Sequence, residues 1–227
     1  MFATLYDTLR KCTGPKTRAW FKRQPWFVPV TKALFGNDVY SESYFESIER
    51  IEAKSVKAFA AWIEEHFNPR RVVDIGCGPG HMMAAVRERG MEVFGIDVAA
   101  AALRRTQAKG LACARVDLTG DEAIPGTPYD LAMCCEVAEH LDAKHAPQLV
   151  AALCGAAPVV FMTAAEPDPS MVPGMHHVNE QPNAYWIDLM AKRGYSLDSA
   201  ATQQARARFK QEDVISYLQK VMIFRRD

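Results

Sequence analysis

A stretch with three alternate glycines constrains the fold more than any other part of this sequence. Residues 72–80 read VVDIGCGPG, so branched apolar residues and one acid run directly into Gly76, Gly78 and Gly80. An apolar run that stops at closely spaced glycines is typical of a buried strand followed by a tight loop whose backbone closely approaches another molecule. The sequence therefore predicts a buried strand, a glycine loop and a ligand beside that loop.

The length and the charge balance of the chain restrict its size class and its partners. The 227 residues are 49% hydrophobic, and the chain is long enough for one well-buried domain but too short for two ordinary ones. Lys and Arg together number 27, as do Asp and Glu, so the net charge is zero. Proteins that bind nucleic acid or anionic membranes usually carry a cationic excess. The composition therefore favours a small-molecule substrate over nucleic acid, and it does not indicate an oligomeric state.

The cysteines and the apolar runs predict a cytoplasmic protein. The chain has six cysteines, and no pair shows the spacing of a zinc knuckle or of a CxxC redox site. Reduced thiols beside apolar segments behave as small hydrophobic side chains, and a disulfide framework is not expected in a chain of this size. No apolar run reaches membrane-spanning length, and the first residues lack the apolar core of a secretory signal. We therefore expect a soluble protein without a transmembrane segment.

A basic and aromatic segment precedes the region of regular patterns. Between Asp7 and Asp38 the chain carries seven Lys or Arg residues and no carboxylate, together with two Trp-Phe pairs. Such a segment is suited to an anionic substrate, an acidic partner or a membrane surface. Alternatively, its aromatic side chains dock on the domain while its charges stay in water. We expect a basic, aromatic arm over residues 1–40 and one domain over residues 41–227.

Apolar periodicity predicts strands and helices in alternation from residue 44 onwards. Ile48, Val56, Phe59 and Ile63 recur at helical spacing within residues 44–67. The segments that follow alternate between short apolar runs and helical patterns, which is typical of a parallel sheet covered by helices on both faces. Strands are predicted at 71–75, 92–96, 112–116, 129–134, 159–163, 195–197 and 218–224, and helices at 44–67, 81–88, 99–108, 143–154 and 184–192.

The glycine spacing separates two kinds of ligand. A dinucleotide-binding loop requires the pattern G-x-G-x-x-G, and its third glycine position is occupied here by His81. The pattern at residues 76–80 instead resembles motif I of the Rossmann-like, class I S-adenosylmethionine-dependent methyltransferases. The resemblance implies an α/β, doubly wound fold with a seven-stranded, mostly parallel sheet, helices on both faces and an antiparallel last strand. It also implies S-adenosyl-L-methionine as the cofactor.

Three further positions agree with this resemblance, each at the predicted carboxyl end of a strand, where doubly wound sheets bind ligands. In this family the acid at the position of Asp97 takes both ribose hydroxyls. The acid at the position of Asp117 receives the adenine amino group, while the next backbone amide meets the ring. Residues 134–136, CCE, match the stretch that flanks the methionine part of the cofactor. The implied cofactor site comprises Asp74, Gly76, Cys77, Gly78, Gly80, Asp97, Val98, Asp117, Leu118, Cys135 and Glu136.

Each of these positions also has a purely structural interpretation. A single acid after a strand is often a helix N-cap, and glycines after a strand are often only a turn. Four such features occur in the expected order, each at the end of a successive predicted strand. One cofactor site explains them better than coincidence does, and we therefore predict an enzyme that transfers a methyl group.

The sequence after the fourth predicted strand resembles a narrower group of methyltransferases. Residues 136–141, EVAEHL, are similar to the E-x-x-E-H-L signature of the ubiquinone-biosynthesis O-methyltransferases and of enzymes that modify sugars and natural products. The final apolar strand is also similar to bacterial members of this group, and the resemblance spans about residues 40–226. It implies O-methylation of a small-molecule hydroxyl on a sugar, a quinone or phenol, or a natural-product intermediate.

Three residues of this signature are candidates for the chemistry of transfer. If the segment is helical, Glu136, Glu139 and His140 lie on one face and converge near the transferred methyl group. One interpretation is a general base, because a hydroxyl acceptor must lose its proton and histidine ordinarily titrates in a suitable range. Another is a divalent-metal site, because this set with one more His resembles the ligands of the small-RNA 2′-O-methyltransferases. In a third, the two acids only cap the following helix and His140 is a satisfied, half-buried residue.

A long proline-rich loop between the fifth predicted strand and the next helix, residues 164–183, carries His176 and His177. Loops of this length inside a compact domain usually serve a site. Either histidine is a candidate for the base or for the fourth metal ligand, and the alternative is a histidine pair on the surface without a role. The candidate catalytic residues are thus His140, His176, His177 and Glu139, and the metal ligands stay open.

Two other classes of function are compatible with part of the sequence. Metal-assisted RNA 2′-O-methylation is supported by the metal-like residue set and the basic arm, and it is opposed by the neutral overall charge. A cofactor-binding regulator without enzymatic activity leaves the cluster at residues 136–140 without a role. The spacing of residues does not name the methyl acceptor.

Overall fold

The described part of the chain consists of strands and helices in alternation. The computed structural model describes residues 42–120, 122–167 and 177–227. The arm predicted over residues 1–40 and the candidate base His176 lie outside the described residues. The predictions for them stay predictions.

The strands form one seven-stranded sheet with helices between them. The strands are β1 Arg71–Ile75, β2 Glu92–Asp97, β3 Ala112–Arg115, β4 Leu131–Cys135, β5 Val159–Thr163, β6 Tyr195–Leu197 and β7 Met222–Arg226. The α-helices are α1 Glu42–Phe67, α2 His81–Glu88, α3 Ala100–Ala108, α4 Ala146–Ala156, α5 Asn183–Ala191 and α6 Ser199–Gln211. Short 3-10 turns span Ala138–His140, Ala143–His145 and Leu218–Lys220.

The strand order is β3-β2-β1-β4-β5-β7-β6. Strand β1 pairs in parallel with β2 and β4, and β4 pairs in parallel with β5. Strand β7 runs antiparallel to both of its neighbours, β5 and β6. The predicted doubly wound sheet, mostly parallel with an antiparallel last strand, is therefore confirmed.

Two apolar layers flank the sheet, because successive residues of a strand point to opposite faces. In β1, Val72 packs with α1, α2 and α6, whereas Val73 packs with α4 and α5. In the first layer Phe59 of α1 meets Phe161 of β5 with 4.9 Å between the ring centroids. The central strands are apolar along their length because both of their faces are covered. Within the described residues, no helix is both long enough and apolar enough to cross a bilayer.

Helix α6 is an element that apolar periodicity does not reveal. Its sequence, SAATQQARARFKQ, is mostly polar, and its buried residues are Thr202, Ala205 and Phe209. The helix begins where the Asp198 side chain accepts a hydrogen bond from the Ala201 amide at 2.9 Å. An N-cap and a narrow apolar stripe, rather than an amphipathic pattern over the whole segment, define this helix.

The last predicted strand is displaced along the sequence. Residues 218–224 were expected to form it, but Leu218–Lys220 is a 3-10 turn and β7 is Met222–Arg226. Two arginines end the strand, and their charges conceal it in the sequence. In the structure Arg226 donates hydrogen bonds to the Tyr195 hydroxyl and to the Cys154 carbonyl, each at 3.0 Å. Tertiary contacts therefore extend a strand that periodicity alone ends too early.

Candidate active site

The predicted cofactor residues meet at the carboxyl edge of the sheet. Strands β1, β2, β3 and β4 are parallel neighbours, so the residues that follow each strand lie side by side. The glycine loop follows β1, Asp97 ends β2, Asp117 follows β3, and Glu136 follows β4. The fold thus brings together four segments that are separated in sequence.

The three loop glycines have different surroundings. All have positive φ, at 79° for Gly76, 53° for Gly78 and 74° for Gly80. A Cβ atom on Gly76 would lie 2.3 Å from a methyl carbon of Val137, and one on Gly80 would lie 2.8 Å from the hydroxyl oxygen of Thr106. A Cβ atom on Gly78 would meet nothing within 4 Å. Gly76 and Gly80 therefore allow close packing of the protein, whereas Gly78 borders open space that a ligand can enter.

Asp97 closes the glycine loop. Its Oδ2 accepts a hydrogen bond from the Gly78 amide at 2.9 Å, and its Oδ1 accepts one from the Ala99 amide at 2.7 Å. Burial raises the pKa of this carboxyl, and the backbone amides partly oppose that shift. The N-cap of α3 is Ala99, so Asp97 is not the helix cap of the alternative interpretation. Each oxygen of Asp97 keeps a further lone pair, which accommodates a bound diol.

Asp74 lies buried at the end of β1, below the glycine loop. Burial raises its pKa to about 7, and the nearby Asp97 carboxylate adds to this shift. The adjacent thiol of Cys77 is also buried, and its pKa is raised for the same main reason. A thiol that is not ionised at neutral pH is a poor nucleophile, so Cys77 is not suited to a nucleophilic role, and its predicted place beside the cofactor stays a prediction.

Asp117 is more exposed than Asp74 and Asp97, and its side chain stabilises the turn that follows it. Its Oδ1 accepts hydrogen bonds from the amide and the hydroxyl of Thr119, at 2.9 Å and 2.7 Å. These bonds lower the pKa of Asp117, so it is a carboxylate at neutral pH. The next residue, Leu118, packs against the core, and Val98 after Asp97 is half-buried. Both positions follow the carboxyl ends of their strands, and their predicted contacts with the cofactor stay predictions.

Glu136 is not part of a helix with Glu139 and His140. The turn is a single 3-10 turn over Ala138–His140, and Glu136 precedes it with a φ of 56°. Its amide lies 3.2 Å from the Thr163 hydroxyl oxygen, and its Oε1 accepts a hydrogen bond from that hydroxyl at 2.9 Å. Burial is the main cause that raises the pKa of Glu136. Glu136, Glu139 and His140 therefore do not share a helical face, contrary to the expectation from the sequence. The Glu136 and Glu139 side chains approach each other because the turn folds back between them.

Glu139 is fully buried in the same turn. The Glu136 carboxyl and the Ala165 amide interact with its side chain, but among the described residues neither carboxyl oxygen makes a hydrogen bond of normal geometry. Burial, and then repulsion from Glu136, raises its pKa to about 9. The carboxyl is therefore protonated at neutral pH unless a cation is bound next to it.

The segment after residue 176 docks on this turn. The Glu139 carbonyl accepts hydrogen bonds from the amides of Val178 and Asn179, at 2.8 Å and 3.1 Å. This docking places the His177 ring across from the His140 ring, with 4.9 Å between the centroids and the planes nearly perpendicular. Nδ1 of His177 lies 2.7 Å from Oε1 of Glu180. Two candidate catalytic histidines thus meet beside the buried Glu139.

These three side chains could share a metal ion. One ligand atom each from Glu139, His140 and His177 lies within 4.8 Å of the other two. One carboxylate and two imidazoles suit a borderline divalent ion, and within the described segments the Glu139 oxygens have no other partner of normal geometry. Among the described residues, Glu136 is not a member of this group, and the predicted loop ligand His176 lies outside the described part of the chain. The residues fit a metal without requiring one.

A second polar cluster at this edge was missed by sequence reasoning. It consists of Glu52 of α1, His81 after the glycine loop and Tyr217 before β7. Oε2 of Glu52 accepts a hydrogen bond from the Tyr217 hydroxyl at 2.6 Å and lies 2.7 Å from Nε2 of His81. The position of Glu52 four residues before Val56 on the apolar face of α1 was the available signal, because an acid at that register is buried. Tyr217 lies 165 residues away, and only the fold brings it near.

Comparison with known proteins identifies the family. A family model described as a methyltransferase domain matches residues 44–202. The ubiquinone biosynthesis O-methyltransferase of Stutzerimonas stutzeri is 32% identical over 108 residues. That match covers 44% of this chain and 45% of the relative, so the chain spans less than half the length of this curated relative.

Two solved structures share the fold. The magnesium protoporphyrin IX methyltransferase of Synechocystis PCC 6803, with bound SAH, has a TM-score of 0.60 at 15% identity and covers 84% of this chain and 98% of that chain. An O-methyltransferase family protein of Burkholderia thailandensis has a TM-score of 0.61 at 13% identity and covers 82% of this chain and 59% of that chain. At these identities the likeness shows the fold alone.

The sheet order and the glycine loop at its carboxyl edge define a class I, Rossmann-like domain. The family match extends over more than half of the chain. The chain belongs to the methyltransferase domain family.

Proposed function

We propose that this enzyme methylates a hydroxyl group of a small molecule, such as a sugar, a quinone or phenol, or a natural-product intermediate. The observation that carries the proposal is the group of Glu139, His140 and His177 next to the cofactor edge. A hydroxyl must lose a proton during methyl transfer, and this group offers two imidazoles for that step. The printed name of the Stutzerimonas stutzeri relative, an O-methyltransferase, supports the same reaction class.

The cofactor lies, in this proposal, along the carboxyl edge of the sheet. When bound, S-adenosylmethionine supplies an electrophilic methyl group on a sulfonium ion. Asp97 accepts hydrogen bonds from the ribose hydroxyls. The open space at Gly78 lets the ligand lie close to the loop backbone. Asp117 accepts a hydrogen bond from the adenine amino group, and the Leu118 amide contacts the adenine ring. Cys135 and Glu136 flank the methionine part.

His177 has an orientation that suits a base. A carboxylate only accepts hydrogen bonds, so Glu180 favours the tautomer of His177 that carries its hydrogen on Nδ1. Nε2 of the neutral ring is then free to take the hydroxyl proton. As the oxygen forms its bond to the methyl carbon, the carbon–sulfur bond breaks and its electron pair stays on sulfur. The proton moves from the acceptor oxygen to Nε2, and the reaction balances without another reagent.

A metal ion at Glu139, His140 and His177 is the alternative way to activate the acceptor. A divalent ion there would polarise the acceptor oxygen and lower its pKa directly. The cation would also stabilise the ionised form of the buried Glu139 carboxyl. This site favours a second candidate function, metal-assisted 2′-O-methylation of RNA, although the zero net charge of the chain opposes a nucleic-acid substrate.

An acceptor screen with radiolabelled S-adenosylmethionine tests the proposal. The panel should contain phenols and quinols, sugars, hydroxylated natural products and a pool of small RNA. Label in an O-linked methyl group of a small molecule is the expected result. Transfer only to RNA, or only to nitrogen or carbon, would contradict it.

Chelation and a pH profile then separate the base from the metal. With an imidazole base, turnover rises with pH through the histidine pKa and survives dialysis against EDTA. With a metal, EDTA abolishes turnover and a divalent ion restores it. His177→Ala and His140→Ala should both be slow in the metal case, whereas His177→Ala alone should be slow if His177 is the base. Glu180→Gln should slow the enzyme in either case, because Glu180 orients the His177 ring. Full activity of both histidine variants would rule out both mechanisms at these residues.

A further inference from the structure

The second polar cluster, Glu52, His81 and Tyr217, is not used by the proposed chemistry. Its carboxylate is buried, with 8% of the Glu52 residue surface exposed. Both hydrogen-bonding neighbours, the Tyr217 hydroxyl and the His81 ring, approach the same oxygen, Oε2. None of the hydrogen bonds that Glu52 makes within the described part of the chain uses Oε1. As far as the described residues are concerned, this buried carboxylate keeps one oxygen for another donor.

The cluster lies between two segments of the cofactor edge. His81 directly follows Gly80, the last glycine of the loop. Tyr217 lies near the end of β4: burial first, and then the charges of Glu52, Cys135 and Glu136, raise the pKa of its phenol. Glu52 in turn contributes to the raised pKa of Glu136, after the larger effect of burial. The Glu52 carboxylate therefore lies within electrostatic range of both the glycine loop and the residues after β4.

The position between Glu52 and Glu136 is suited to a cation. Glu52 and Glu136 repel each other, and a positive group between them would reduce that repulsion. The Tyr217 hydroxyl and the His81 ring hold the Glu52 carboxylate in one orientation, so little side-chain freedom is lost when a ligand binds. An ammonium group with three N–H donors matches an acceptor-only carboxylate at such a place.

We propose that Glu52, oriented by His81 and Tyr217, binds the ammonium group of the methionine part of S-adenosylmethionine. The inference rests on the proposed placement of that part of the cofactor between the glycine loop and residues 134–136. It assigns a ligand-binding role to Glu52 and positioning roles to His81 and Tyr217. The three residues belong to α1, to the start of α2 and to the segment before β7.

Calorimetry with two ligands isolates the ammonium group. The first ligand is S-adenosylhomocysteine, and the second is its desamino analogue, in which hydrogen replaces the ammonium group. The wild-type protein should bind the first about tenfold to a hundredfold more tightly, as expected for a charge-assisted hydrogen bond. In Glu52→Gln this ratio should fall to within about threefold, because the variant loses affinity for the first ligand only. Tyr217→Phe should lower the ratio by a smaller factor.

The controls separate a binding role from a structural one. Glu64→Gln changes an exposed acid on the same helix, paired with Arg89 at 2.7 Å, and should keep the wild-type ratio. An unchanged ratio in a folded Glu52→Gln protein overturns the inference, as does an equal loss of affinity for both ligands. If Glu52→Gln does not fold, Tyr217→Phe decides by the same ratio. Failure of the wild-type protein to bind S-adenosylhomocysteine would instead contradict the proposed cofactor site itself.

Discussion

At the residue scale, Glu139 combines full burial with a turn that also carries a candidate base. Its carboxyl is held next to Glu136, and together with burial this raises its pKa to about 9. The carboxyl is therefore protonated when the site is empty of cations. Either a bound metal ion or a rise in pH can remove the proton from the Glu139 carboxyl.

Glu139→Gln should flatten the dependence of stability on pH. The folded-state pKa of Glu139 lies above its ordinary value of 4.5, so between these two values the folded state holds a proton that the unfolded state releases. Wild-type stability should therefore fall as pH rises through this window, while the neutral glutamine is indifferent. One pKa unit corresponds to about 1.4 kcal/mol, and 1 kcal/mol moves the Tm of a chain of this size by about 2–4 °C.

Calorimetric Tm values measured between about pH 5 and pH 8 check this expectation. The wild-type Tm should drop several degrees further than that of Glu139→Gln. Parallel curves for the two proteins would show that Glu139 is ionised in the folded state. Glu64→Gln serves as the control, because its carboxyl is exposed and paired with Arg89.

The loop glycines make a second prediction at this scale. Gly76→Ala places a Cβ atom 2.3 Å from Val137, so the variant should be destabilised by roughly 2 kcal/mol or more. Gly78→Ala meets no protein atom within 4 Å and should lose only about 1 kcal/mol from its positive φ. It should nevertheless bind S-adenosylhomocysteine at least about tenfold more weakly, because its methyl group enters the ligand space. Denaturant unfolding and calorimetry measure the two effects, and unchanged ligand affinity in Gly78→Ala would remove the loop from the site.

At the element scale, α6 depends on a single N-cap because its apolar stripe is narrow. Asp198 accepts the Ala201 amide at 2.9 Å, and its other oxygen meets Arg225 of β7 at 2.6 Å. The helix covers the layer of the core that contains Phe209 and the end of α1. Asp198 thus caps the start of α6 and also connects this helix to strand β7.

Asp198→Ala should lower the free energy of unfolding by about 1 kcal/mol, with a drop in Tm of about 2–4 °C. Asp198→Asn keeps a capping oxygen and should recover most of the loss, since the exposed pair with Arg225 contributes little. Thermal unfolding of the two variants side by side measures the difference. Equal losses in both variants would assign the effect to the Arg225 pair instead of the cap.

At the scale of the whole molecule, the even charge balance predicts how the enzyme responds to salt. A protein that contacts many phosphates loses about 10³–10⁵ in affinity between about 50 and 200 mM salt. If the acceptor is a small molecule, as proposed, the kcat/KM of this chain with zero net charge should change by less than about threefold over the same range. Initial rates with the acceptor found by screening provide the measurement. A steep loss with salt would favour the RNA alternative.

The sequence predicted the order of the elements because buried strands and amphipathic helices leave periodic patterns that do not depend on distant partners. The residues 72–80 and the acids after β2 and β3 likewise predicted the cofactor edge, since parallel strands place their carboxyl ends together. The predicted family and fold were confirmed on this basis. The boundaries of β1, α2, β5 and β6 agree with the prediction residue for residue.

The tertiary structure alone decided how side chains from distant segments meet. A 3-10 turn replaced the expected helical face, so Glu139 rather than Glu136 joins His140 and His177. Glu52 and Tyr217 share a hydrogen bond across 165 residues, which no local pattern records. Local periodicity reports which face of an element is buried. The geometry of a site depends on how those elements pack, and packing is determined by the whole chain at once.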